Sequence, residues 1–87
     1  MYAAKCTNFF KNLSVAEFVV EAVDAIEEGQ DLLITGETTG VYACKAQGLR
    51  DTNGNPTQRV QQGQFFSLKT DTLIRRGDKM YLWIEDK

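Results

Sequence analysis

Ser14 and Glu17 stand three positions apart just ahead of an apolar run, and no other local feature constrains this chain as much. In a Ser-x-x-Glu capping box each side chain bonds the other residue's backbone N–H, which fixes the start of a helix. Leu13 and Phe18 have the spacing of the accompanying hydrophobic staple. From there Val15, Phe18, Val19, Ala22, Val23 and Ile26 recur at steps of three and four, which gives one apolar face. Gly29 offers a C-terminal stop. One amphipathic helix is therefore predicted over about residues 14–28.

Upstream, Tyr2, Cys6, Phe9, Phe10 and Leu13 fall near helical spacing, although Thr7 and Asn8 are poor helix formers. Residues 2–12 read as a short helix, with a short strand as the alternative. Downstream the pattern changes. Asp31 to Thr35 and Val41 to Cys44, joined by a glycine-bounded turn, read as a hairpin over 31–47. Asn53-Gly54 and Asn55-Pro56 mark the tip of a polar hairpin arm over residues 50–62, returning into Gln64 to Leu68. A last hairpin pairs residues 72–75 with 80–84 across Arg76-Gly77-Asp78-Lys79. Met80, Leu82 and Ile84 alternate there with Tyr81 and Trp83, as in a strand covered on both faces. The expected class is α+β: an N-terminal helical segment, then about five antiparallel strands in a small curled sheet or barrel.

At 87 residues the chain is expected to form a single domain over 1–87. A chain of this size buries only about 60% of its unfolded surface, so its core is thin and a deep enclosed active site is not expected. The N-terminus does not read as a signal peptide, and no apolar run is long enough to span a bilayer. Cys6 and Cys44 do not make the disulfide framework of a small secreted domain. They read as two buried small hydrophobes rather than one bridge, and the expected compartment is the cytoplasm.

The chain has no histidine. That removes the commonest general base near neutral pH and the usual metal ligand, and with it Ser-His-Asp and Cys-His catalysis. The cysteines alone cannot complete a zinc set, and no acidic run has calcium-loop spacing. The glycines fit turns and no phosphate loop. Arg76-Gly77-Asp78 spells an adhesion tripeptide but is ordinary turn chemistry between apolar segments. No enzyme activity and no cofactor are expected.

Charge is polarised along the chain. Glu17, Glu21, Asp24, Glu27, Glu28 and Asp31 occur with no base between residues 14 and 31. On the predicted helix Glu17, Glu21, Asp24 and Glu28 form one acidic stripe, whose like-charge neighbours cost about 0.2–0.5 kcal/mol per pair. Such a stripe suits docking on a basic patch of a protein partner, or else it only solvates the helix. Within the arm, residues 50–59, with Arg50, Asn53 and Arg59, hold no large apolar residue, and the arm is expected to contact a partner or a second copy. In the β region Lys45, Lys69, Arg75 and Arg76 are interleaved with aromatic residues, which gives an alternative reading as a small barrel binding single-stranded nucleic acid.

The favoured reading is a non-enzymatic protein-binding module, with homo-oligomers allowed, nucleic acid less favoured and no membrane contact. In its small size, sparse motifs and polarised charge the chain resembles, in general terms, small phage accessory proteins. That resemblance implies a virion component or an inhibitor of a host complex, located in the cytoplasm or on the virion.

Overall fold

In a computed structural model, which describes residues 1–83, the chain is all β, and the α+β expectation is corrected. Eight strands follow one another: β1 (Tyr2–Phe10), β2 (Val15–Val20), β3 (Ala25–Glu27), β4 (Asp31–Gly36), β5 (Gly40–Lys45), β6 (Arg59–Gln61), β7 (Phe65–Lys69) and β8 (Lys79–Leu82).

The predicted helix over 14–28 is replaced by β2, a bend and β3. Within β2, Ala16, Phe18 and Val20 are buried while Val15, Glu17 and Val19 are half-buried, the alternation of a strand. The segment satisfies both periods on paper. An isolated helix of this length is marginal, and its β-branched valines favour a pleated surface, so ladders on both sides decide the outcome. β1 supplies one ladder, from Ala4↔Val20 to Phe10↔Val15, and β7 the other, from Val15↔Lys69 to Val19↔Phe65.

The capping box is not formed. Ser14 has φ 53°, whereas a helix N-cap needs extended backbone. It sits in the turn of the β1–β2 hairpin, where its N–H donates to the Lys11 carbonyl at 3.3 Å. Glu17 instead accepts the Thr7 hydroxyl across the ladder at 2.9 Å. Leu13, the expected staple, is 65% exposed. Residues 2–12 resolve in favour of the strand alternative, as β1.

Six strands form one antiparallel sheet in the order β5-β4-β8-β1-β2-β7, and β3 and β6 pair as a two-stranded ribbon. The sheet curls around a core in which Phe18 and Phe66 stack with ring centroids 5.6 Å apart, joined by Ile26, Leu32, Ile34, Leu49, Ile74 and Met80. The hairpin expected over 31–47 is present, in register from Asp31↔Lys45 to Gly36↔Gly40. The hairpin expected over 72–84 is not. Residues 72–75 form no strand, and β8 lies between β4 and β1 with pairs Leu32↔Leu82 and Tyr2↔Tyr81. Ile84, placed in that hairpin, lies outside the described residues.

Nor do residues 50–62 form an extended arm. Asp51 Oδ1 accepts the N–H groups of Asn53 and Asn55 at 2.9 and 3.0 Å, which closes a tight loop. The chain then joins β3 through β6. The Arg75–Asp78 turn is locked into the fold, because Gly77 N–H donates to the Cys6 carbonyl and Cys6 N–H to the Asp78 carbonyl. The buried Asp78 carboxylate accepts the Thr39 hydroxyl and the Arg75 N–H.

Candidate functional site

Because Leu32, Ile34, Met80 and Leu82 point into the core, the residues between them present the opposite face of the sheet. Register places Ala43, Leu33, Tyr81 and Tyr2 side by side across β5, β4, β8 and β1. The Tyr2 and Tyr81 rings meet edge to face, centroids 5.7 Å apart at 65°. The Tyr2 hydroxyl donates to the Glu21 carboxylate, and burial first, with that carboxylate second, pushes its pKa up to about 12. Beyond Leu82, Trp83 is 57% exposed. A neighbouring row sets Val41, Thr35, Lys79 and Lys5 in line, so that two lysines face each other across β8 and β1.

This face ends at β5, whose backbone parity follows from two flanking bonds. Ala46 N–H donates to the Gln30 carbonyl at 2.9 Å, and Trp83 N–H to the Asp31 carbonyl at 2.9 Å. Residue 30 thus bonds towards β5, and residue 31 away from it towards β8. Bonded and non-bonded pairs alternate in an antiparallel ladder, so Leu32 with Cys44 and Ile34 with Tyr42 exchange hydrogen bonds. The N–H and C=O groups of Val41, Ala43 and Lys45 point away from β4. Just inside them, over the end of β5 and β4, lies an open groove of about 340 Å³ lined by Asp31, Leu32, Ala43, Cys44, Lys45 and Trp83. The opposite edge of the sheet is capped at its middle, where Arg50 and Ser67 of β7 exchange N–H···O bonds of 3.1 and 2.9 Å.

The residues singled out in the sequence are scattered over this frame. Glu17 is half-buried in β2, Glu21 and Asp24 are exposed in the bend after it, and Glu28 accepts the Gly48 N–H at 2.7 Å. Without the helix they make no continuous stripe. Arg50 donates to the Gly54 carbonyl at 2.9 Å, and Asn53 belongs to the loop closed by Asp51. Arg59 sits in β6 opposite Glu27. Lys45 pairs with Asp31 at 2.9 Å, the one ion pair among the described residues. Lys69 ends β7 opposite Val15, and Arg75 and Arg76 share a groove of about 500 Å³ with Lys79 and Glu37. Lys45, Lys69 and the two arginines therefore do not converge.

The aromatic row was partly visible in the alternation of Met80 and Leu82 with Tyr81 and Trp83. Tyr2 carried no signal, because its partner is nearly eighty residues away in sequence. Cys6 is buried and Cys44 half-buried, both as free thiols. Burial pushes the Cys6 thiol up to about 11 and raises that of Cys44, so neither is an activated nucleophile. Among the described residues no three Cys, Asp or Glu side chains are grouped to hold a metal ion, and no helix is long and apolar enough to cross a membrane.

No family model matches the chain. It is 32% identical over 81 residues to a collagenase of Porphyromonas gingivalis, covering 93% of this chain and 19% of that protein. It is 31% identical over 78 residues to an uncharacterised protease of Methanocaldococcus jannaschii, covering 90% of this chain and 18% of that one. The chain thus spans about a fifth of the length of the curated relatives it matches.

Its fold matches the crystal structure of the C-terminal domain of a Geobacillus thermoleovorans protein assigned to the U32 peptidases. The TM-score is 0.86 at 12% identity, over 95% of this chain and 92% of that domain. These relatives, named as a collagenase and a protease, overturn the expectations of a non-enzymatic protein-binding module of phage accessory type and of a single-stranded nucleic-acid barrel, and also the expectation of no enzyme. What this chain resembles, in sequence and in fold, is a domain-sized part of proteolytic proteins.

Proposed function

We propose that the chain is the small β domain of a proteolytic protein of the kind its relatives are named for, and that it helps present a polypeptide substrate to catalytic groups elsewhere in that protein. The observation that carries this reading is the asymmetry of coverage: nearly all of this chain matches about a fifth of a named collagenase. A curled sheet with shallow open grooves suits holding a substrate better than enclosing a reaction.

The test is a chimera in which this chain replaces the matched segment of the Porphyromonas gingivalis collagenase, compared with a version lacking that segment. Cleavage of fluorescent gelatin is expected to fall on the order of tenfold or more on deletion, as misplacement of substrate does, and to be largely restored in the chimera. A deletion that cleaves like the parent overturns the reading. So does a folded chimera no better than the deletion. Cleavage by the 87-residue chain alone would move the catalytic groups into it.

A further inference from the structure

We propose that the outer edge of β5 is a strand-addition site for an extended polypeptide, with the groove between Ala43 and Trp83 receiving its side chains. This rests on the reading of the chain as part of a proteolytic protein, and adds the manner in which substrate is held.

Sheet edges invite pairing, and folded chains blunt them with lysine, proline, bulges or a covering segment. At β7 this fold blunts the middle of the edge, where Arg50 bridges Ser67. It does not do so at β5. The β4–β5 register runs without a bulge from end to end, β5 contains no proline, and its one charge, Lys45, is last in the strand and already paired with Asp31. Val41 is 71% exposed beside the edge. Among the described residues no backbone group bonds the outward N–H and C=O of Val41, Ala43 or Lys45. These groups recur at every second residue, the spacing an added strand requires.

Two occupants have the right backbone, a second copy of β5 or an extended peptide. A second copy would meet this edge over six residues only, whereas stable association buries roughly 1,200 Å² or more. A substrate, which must leave after cleavage, needs only a weak hold. The groove of about 340 Å³ just inside the edge, lined by Ala43, Lys45 and Trp83, suits a side chain reaching in over β5 from an added strand. The peptide is the occupant the geometry favours.

The isotope-labelled chain is titrated with reduced, carboxymethylated α-lactalbumin, a permanently unfolded polypeptide. Amide shifts are expected at Val41, Ala43, Lys45 and the Trp83 indole, with hydrogen exchange slowed at the three β5 amides. Val41→Pro and Ala43→Pro each delete one outward N–H and leave the ladder to β4 intact. Each is expected to weaken binding by about two- to tenfold, the worth of one hydrogen bond, with the circular dichroism unchanged. Should a proline variant unfold, an alternating Val–Lys peptide is compared with the same peptide N-methylated on alternate residues, and strand addition requires the methylated form to bind more weakly. Folded proline variants that bind like the parent, equal binding of the two peptides, shifts confined to another surface, or sedimentation showing a β5-dependent dimer would each overturn the proposal. The readout needs no cleavage, so its failure leaves the chimera test standing.

Discussion

Gly36 and Asp78 show how tightly single residues are fixed. A Cβ at Gly36 would lie 2.0 Å from the Asp78 carboxylate oxygen, and that carboxylate is held in place by Thr39 and the Arg75 N–H. Gly36→Ala is expected to cost about 1–3 kcal/mol in urea unfolding, the usual cost of overpacking. It should cost less in an Asp78→Ala background, because the clash is then gone. Cys6 makes a prediction in pH. Its thiol is raised from an ordinary 9.0 to about 11, chiefly by burial, so the folded chain keeps this proton after the unfolded chain has lost it. The resulting stability is fully present below about pH 9 and is lost as pH rises towards 11. Melting curves should show Tm falling from pH 9 upward, and falling less steeply in Cys6→Ala, whose Tm starts lower because of the cavity.

At the scale of elements, the segment after Ser14 shows why local signals mislead. Val15 to Ile26 reads as a helix by its steps of three and four, yet Ala16, Phe18 and Val20 also alternate, and both periods pass through Phe18. The choice fell to hydrogen-bond partners on β1 and β7, which no window of neighbouring residues reveals. Ser14 tests the outcome. A left-handed backbone costs a non-glycine residue roughly 1–2 kcal/mol, so Ser14→Gly is expected to stabilise the chain by up to about 1 kcal/mol. At a helix N-cap the same change would lower stability by a few tenths of a kcal/mol. Chemical denaturation distinguishes the two. The acidic stripe failed for the same reason as the helix, since its four residues shared a face only if the helix existed.

For the whole molecule, one small core carries nearly all the burial, with Phe18 and Phe66 at its centre. Phe18→Ala is expected to cost about 3–5 kcal/mol. That is a large share of the roughly 5–15 kcal/mol available to a domain, and calorimetry should find the variant largely unfolded at moderate temperature. The sequence by itself determined the β4–β5 hairpin, the turn at Arg76-Gly77 and the alternation of Met80 to Trp83, because each rests on residues close together in the chain. It also shows that the chain holds no histidine, so no histidine side chain acts from within it in any fold. Only the tertiary structure decided that β8 lies between β4 and β1, that Tyr2 meets Tyr81, and that Arg50 bridges the β7 edge at Ser67 while no backbone group among the described residues bridges β5. Those facts depend on strands from opposite ends of the chain meeting, and their bonds reward a register that local propensity cannot see.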